Sequence, residues 1–202
     1  MSKKETAPLN PGWIKSVISN EYNDAELQRI VLFYVIHTPC EGISYSSKSM
    51  KSYGWKKDVW KKGALKRKLF NIANLETQTN FFSVTKTDDT KYMFKKANML
   101  SNFHTNRSEE KIAIYQPKGY NNFTGILYHI RNSLAHGRFT IYPVVKPDNL
   151  DEIYFVMEDG VKKGDTFYVR ARIILKRSTL LEWIDIIEDK AKEIQEENDE
   201  NN

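Results

Sequence analysis

The period of the apolar residues changes at Gly137, and this change restricts the chain to folds that combine helices with strands. Before Gly137, the stretch NNFTGILYHIRNSLAH spaces its apolar residues as an amphipathic helix does. After it, three segments alternate as strands do, namely RFTIYPVV, EIYFVM and TFYVRARIIL. The turn-rich segment EDGVKKGD joins the second of them to the third. The sequence therefore predicts an α+β fold.

The remaining patterns predict a single domain over residues 23–197. It follows an N-terminal tail, residues 1–22, and ends in an acidic disordered tail, residues 196–202. Asn23 caps a first core helix, which Pro39 ends. The further segments expected along the domain are a basic aromatic segment at 48–74, a hairpin at 81–95 with its turn at Asp88–Asp89, a motif helix at 122–137, strands over 138–175 and a C-terminal helix at 179–195.

Composition excludes several classes of protein. Cys40 is the single cysteine of the sequence, so an internal disulfide is excluded and a reducing cytoplasm is the expected location. No apolar run approaches the roughly 18 residues of a membrane-spanning helix, so we expect no membrane partner. The sequence also contains no metal-ligand cluster and no glycine-rich phosphate loop. We therefore expect neither a metal nor a cofactor.

A basic segment rich in aromatic residues is the best candidate for a nucleic-acid surface. Nine Lys or Arg and one acid, Asp58, lie between Lys48 and Lys68, interleaved with aromatic rings. Cations meet phosphates and rings stack on bases, so this segment predicts contact with RNA. A plain amphipathic helix over residues 56–74 is the competing interpretation. The residues expected to bind RNA are Trp55, Lys56, Lys57, Lys61, Lys62, Lys66, Arg67 and Arg138.

A helical wheel separates the polar residues of the motif helix from its apolar stripe. With Phe123 as origin, the apolar residues fall within roughly 60° of it, whereas Asn132 and His136 fall at roughly 180° and 220°. A histidine placed there faces away from the apolar stripe, and attraction to the helix dipole would explain His136 alone. Arg131 falls at roughly 80°, on the flank of the stripe.

Arg131 and His136 diverge too far on one helix to grip a single phosphate. Two copies of the helix, packed about a twofold axis, would let each site draw residues from both chains. The sequence therefore predicts a homodimer through the motif helix. Its expected interface contains Gly125, which allows close approach, together with Tyr128 and His129.

The stretch IRNSLAHGRF resembles the R-x(4–6)-H signature of the HEPN superfamily, with a polar residue directly after the arginine. The resemblance covers roughly residues 125–139. It implies a mainly helical HEPN-like bundle that dimerises through this helix, to which the hairpins would be additions. Many members are metal-independent endoribonucleases of toxin–antitoxin, abortive-infection and other antiviral systems.

The resemblance also assigns catalytic roles to three residues. Arg131 would hold the scissile phosphate and stabilise its developing charge. His136 would act as general base or acid in attack by the 2′-hydroxyl, leaving a 2′,3′-cyclic phosphate. Asn132 would orient His136 or the phosphate. A cognate antitoxin or another defence-system protein is the partner expected besides RNA.

Two other functions compete with the ribonuclease. The first is a non-catalytic RNA- or nucleotide-binding HEPN module that serves an effector, and it predicts salt-sensitive binding without cleavage. The second is a DNA-binding regulator that uses residues 48–68. No helix-turn-helix spacing supports this regulator clearly.

Overall fold

A computed structural model describes residues 25–40, 43, 45–46, 48–55, 64–100, 109–116, 118–119, 121–144 and 152–199, giving the backbone alone at 64, 122 and 190–199. Besides a π-helical turn and two short 3₁₀ turns, five α-helices and five strands form in this part of the chain. In chain order these are α1 (Ala25–Val31), the π-helical turn (Leu32–His37), a 3₁₀ turn (Met50–Tyr53), α2 (Ala64–Ile72), β1 (Phe81–Val84), a 3₁₀ turn (Thr87–Asp89), α3 (Thr90–Lys96), β2 (Lys111–Tyr115), α4 (Asn122–Ala135), β3 (Phe139–Val144), β4 (Glu152–Lys163), β5 (Thr166–Lys176) and α5 (Arg177–Asp199).

The five strands form one mixed sheet in the order β1-β2-β5-β4-β3. β1 pairs with β2 in parallel, and all other neighbours are antiparallel. The C-terminal three strands therefore form an antiparallel meander, while the parallel pair is added at one edge. β5 lies at the centre of the sheet, between β2 and β4.

Alternation along the strands divides the apolar residues between two faces of the sheet. On β5, Ile173 belongs to one core cluster and Ile174 to the other. Helices α1, α2, α4 and α5 pack in the first cluster, around Trp183, while α3 covers the second with Phe94. The sheet is thus a central layer with helices on both faces, and α4 is fixed between it and the helices.

The expectation of a mainly helical HEPN-like bundle with β-hairpin additions is wrong, although the α+β class is correct. The sheet runs through the middle of the described structure. Two pairings were not visible as local patterns: β1 with β2, and β2 with the distant β5. A parallel pair always needs a crossover connection, so no turn signal marks it in the sequence.

The hairpin predicted at 81–95 is also wrong. Only Phe81–Val84 is a strand, and the second half of the segment is helix α3. Met93 and Phe94 are the buried residues of α3, and they pack against one face of the sheet. Asp88 and Asp89, the expected turn of the hairpin, stand at the start of this helix, where acids are favoured by its dipole.

The remaining expected segments follow the structure more closely. The second and third C-terminal strands pair as the β4–β5 hairpin, but its turn is shorter than the expected EDGVKKGD, because β4 continues to Lys163. α5 starts at Arg177 directly after β5 and runs to Asp199, past the expected end at residue 195. The N-terminal tail, the cap Asn23 and residues 56–63 of the basic segment lie outside the described residues.

Candidate functional site

The motif helix α4 has defined signals at both ends. The Asn121 side chain accepts hydrogen bonds from the backbone N–H groups of Phe123 and Thr124, and the Thr124 hydroxyl accepts one from the Asn121 N–H. This reciprocal cap satisfies donors that the first turn leaves free. At the other end Gly137 has a φ of 63°, and Arg138 N–H bonds back to Ser133. Glycine is favoured at this left-handed position, which ends the helix.

α4 is buried on two sides. Its predicted apolar stripe is confirmed: Phe123, Ile126, Leu127, Ile130 and Leu134 are buried in the helix-side core. His129, Asn132 and Ser133 are buried as well, because β4 lies along the opposite side of the helix. The expectation that this side faces away from the interior is therefore wrong for His129 and Asn132. His136, one turn further on, is exposed.

A buried chain of hydrogen bonds links α4 to strands β2 and β4. His129 Nδ1 lies 2.7 Å from Asp159 Oδ2, and its Nε2 lies 2.6 Å from the carbonyl oxygen of Tyr115. Asn132 Nδ2 donates to the same Asp159 oxygen at 3.4 Å. Arg131 Nη1 donates to Asn132 Oδ1 at 3.0 Å. The chain thus runs from the end of β2, through Asp159, to the guanidinium of Arg131.

Both nitrogens of His129 are occupied by this chain. A backbone carbonyl can only accept a hydrogen bond, so Nε2 donates to Tyr115. Nδ1 and Asp159 then share a further proton, which lies on the imidazole or on the carboxyl. His129 is fully buried, so it is a structural partner of Asp159.

Arg131 is partly exposed on the flank of α4, and one of its donors is unused. Its buried Nε–H has no hydrogen-bond partner among the described residues. Burial raises the pKa of the nearby Cys40 thiol to about 12, and the charge of Arg131 opposes that rise. An unmatched buried donor costs roughly 1–3 kcal/mol.

The three predicted catalytic residues occupy one helix but are not brought into one cluster. Asn132 is committed to Arg131 and Asp159, so its amide does not orient His136. His136 stands at the helix C-terminus with a φ of −97°, and its backbone N–H donates to Asn132 O. Five residues apart, Arg131 and His136 leave the helix roughly 140° apart.

The three predicted dimer-interface residues have different environments. Gly125 and His129 are buried inside the chain's own structure, and Tyr128 is half-buried. The body of α4 on the Gly125 side is therefore covered by the chain's own strands. Homodimerisation itself stays a prediction, and Tyr128 is the member of the set with accessible surface.

The predicted RNA-binding residues are not gathered on one described surface. Lys56, Lys57, Lys61 and Lys62 lie outside the described residues. Lys66 lies over the Phe70 ring, at 5.0 Å from its centroid, and Arg67 is exposed. The indole N–H of Trp55 donates to Ile187 O, so this ring is packed against α5.

Arg138 lies at the end of the sheet next to α4. Its guanidinium carbon stands 4.1 Å from the centre of the Phe167 ring, and its Nη1 donates to Gly160 O. One residue, Gly137, separates it from the exposed His136. Of the predicted RNA-binding residues in the described part, Arg138 is nearest in sequence to the motif.

Sequence reasoning missed Asp159. It falls within EDGVKKGD, which reads as a turn, whereas β4 continues through it to Lys163. The register between β4 and β5 shifts between Asp159 and Gly160, at a bulge. Bulges redirect side chains, and this one lies where Asp159 meets α4. The sequence signal that could have identified Asp159 is the pair of adjacent acids, Glu158 and Asp159, directly after the apolar run IYFVM.

Comparison with known protein families, curated proteins and solved structures finds no match to this chain. Within the described residues, no helix combines the length and the apolar character that a membrane crossing requires. The arrangement around α4 therefore has to be interpreted from its own chemistry.

Proposed function

We propose that this protein is a metal-independent endoribonuclease of the HEPN type, acting in the cytoplasm as a toxin or antiviral-defence effector. The observation that carries the proposal is the placement of Arg131 and His136 on the motif helix. Arg131 is half-buried, with its Nη1 donating to Asn132, and His136 is exposed at the helix end. A guanidinium suits a phosphate, and an accessible imidazole suits proton transfer.

The proposed reaction needs only these groups and the RNA. His136 removes the proton from a ribose 2′-hydroxyl, whose oxygen attacks the adjacent phosphorus. The bond from phosphorus to the 5′-oxygen of the next nucleotide breaks, and that oxygen takes a proton from an imidazolium. The products are a 2′,3′-cyclic phosphate and a free 5′-hydroxyl. Arg131 binds the phosphate oxygens and stabilises their charge as the phosphorus becomes five-coordinate.

The divergence of Arg131 and His136 supports a site completed by a second copy of the chain. In a closed dimer, Arg131 of one copy and His136 of the other act on one phosphate. Because Gly125 and His129 are buried, this pairing has to use the exposed C-terminal end of α4 and the Tyr128 flank. A cognate antitoxin or another defence protein would act by covering this end.

Replacing His136 tests the catalytic role. His136→Ala should lower the rate of transfer-RNA cleavage by roughly 10²–10⁴-fold, because it removes the group that moves protons. Added imidazole should restore part of the rate. His136→Asn, which retains a polar side chain at the end of the helix, should be equally inactive. Unchanged cleavage by folded His136→Ala would refute the assignment, and end-group analysis should find the cyclic phosphate.

Mixing two inactive variants tests whether the site is shared. Arg131→Ala and His136→Ala chains, unfolded and refolded together, form mixed dimers in which one of the two sites is intact. Statistical mixing should return about a quarter of wild-type activity if each site draws on both chains. No recovery, with dimers verified by analytical ultracentrifugation, would place both residues within one chain.

The second candidate is a non-catalytic RNA- or nucleotide-binding module. The commitment of Asn132 to the interior favours it, because no described side chain is placed to orient His136 for proton transfer. This candidate predicts that transfer RNA remains intact at every protein concentration. Binding should weaken as salt rises and weaken further in Arg131→Ala.

A further inference from the structure

The Asp159–His129 pair contacts Asn132 rather than Arg131 directly, and it connects the motif helix to the sheet. Asp159 is a buried carboxyl on β4, and the two side chains that contact its Oδ2, His129 and Asn132, both come from α4. Asn132 also accepts a hydrogen bond from the Arg131 guanidinium on its own oxygen. The direction of the Asn132 amide is thereby determined, with its nitrogen towards Asp159 and its oxygen towards Arg131.

We infer that Asp159, supported by His129, is a positioning residue that orients Arg131 through Asn132 for binding a phosphate oxyanion. This inference rests on the proposed function for the identity of the ligand. Without Asp159, the Asn132 amide loses its fixed orientation and can turn its nitrogen towards Arg131. The guanidinium would then lose its anchor and sample several rotamers. Partners of this kind behind a functional group typically contribute about 10–100-fold to activity.

His129 contacts the same oxygen of Asp159 as Asn132 does. Its imidazole is held between Asp159 Oδ2 and Tyr115 O, at 2.7 and 2.6 Å. The contact with Asp159 is buried, so water does not compete for it. The bulge after Asp159 determines the position of this carboxyl on the strand. The site residues on α4 are therefore fixed by the sheet.

The neighbouring residue provides a matched control. Glu158 is as buried as Asp159 and is paired with Arg172 at 3.0 Å. It points to the other face of the sheet, where Arg172 donates to carbonyl oxygens after α3. Glu158→Ala therefore removes a buried carboxyl from the same strand without touching the chain to Arg131.

The first readout is independent of activity. In ¹⁵N-labelled protein, the heteronuclear NOE of the Arg131 Nε–H reports whether the guanidinium is ordered. We expect it to fall to the value of an exposed arginine such as Arg67 in Asp159→Ala, which removes the acceptor, and to be retained in Glu158→Ala. If Asp159→Ala does not fold, Asn132→Ala removes the next link and should give the same loss. An Arg131 signal that stays ordered in these variants would overturn the inference.

The second readout is a double-mutant cycle on transfer-RNA cleavage. Asp159→Ala should lower the rate about 10–100-fold in the wild-type background and have little effect in Arg131→Ala. Equal losses in both backgrounds would show that Asp159 does not act through Arg131, and would overturn the inference. If the wild-type protein cleaves no RNA, the proposed ribonuclease fails, and the Arg131 NOE alone decides the positioning role.

Discussion

Two neighbouring carboxyl groups on β4 are buried on opposite faces of the sheet, each with its own basic partner. Asp159 meets His129 of α4, and Glu158 meets Arg172 of β5. Burial raises the pKa of Glu158, and Arg172 opposes that rise. Removing one member of the Glu158–Arg172 ion pair leaves a charge unpaired in the interior, typically at a cost of about 3–5 kcal/mol. These side chains are therefore as important for the fold as for any site.

A third buried carboxyl, that of Glu110, should give stability a dependence on pH. Burial raises its pKa above the ordinary 4.5, against hydrogen bonds from Lys176 N–H and Thr179. The folded state then binds this proton more tightly than the unfolded state. The free energy of unfolding should accordingly fall as pH rises from about 4.5 through the raised pKa, and level off above it.

Glu110→Gln should remove this contribution, because glutamine can still accept the bond from Lys176 N–H but does not titrate. Urea denaturation at a series of pH values from 4 to 8 measures the difference. The slope that remains in the variant belongs to Glu158 and other groups. A pH profile identical to that of the wild type would contradict the assignment.

The β4–β5 hairpin depends on a glycine where its register shifts. A Cβ at Gly160 would lie 2.3 Å from the carbonyl oxygen of Tyr168 and 2.7 Å from the Phe167 ring. The ring can turn aside, but the backbone oxygen can move only by distorting the strand. The bulge at Asp159, which directs the site carboxyl to α4, is therefore linked to the absence of a side chain at residue 160.

Asparagine at two glycine positions separates steric from conformational causes. Gly160→Asn should lower the free energy of unfolding by about 1–3 kcal/mol or more, because of the clash with Tyr168 O. Gly164→Asn should cost less than about 1 kcal/mol, since its surroundings are open and asparagine tolerates its φ of 59°. Urea denaturation of both variants measures the difference. Equal losses would show that crowding at residue 160 is unimportant.

Elements whose signals are local could be predicted from the sequence, and those that depend on distant partners could not. α4 and the pairing of β4 with β5 follow from the apolar period and the turn residues. β1 and β2 are short, and their pairing has no local signal. The same holds for the site: Arg131 and Asn132 were evident, but Asp159 joins them only through the folded sheet.

On the scale of the whole molecule, the most persistent structure should lie at the centre of the sheet. β5 has neighbours on both sides and helices over both faces, whereas β1 and β3 are edge strands. Amide hydrogen exchange should therefore be slowest in β5, with Ile173 exchanging through global unfolding, and at least about tenfold faster at Ser83 in β1. Comparable protection of the two amides would contradict this order of stability.

The central place of β5 also bears on how the protein is made. β2 has β1 on one side, but its other partner is translated only after α4, β3 and β4. While the polypeptide leaves the ribosome, one edge of β2 therefore stays open, and open edges attract other unfinished strands. Until β5 has emerged, we expect the nascent chain to depend on chaperones. Slow translation through the meander would prolong the exposure of the open β2 edge.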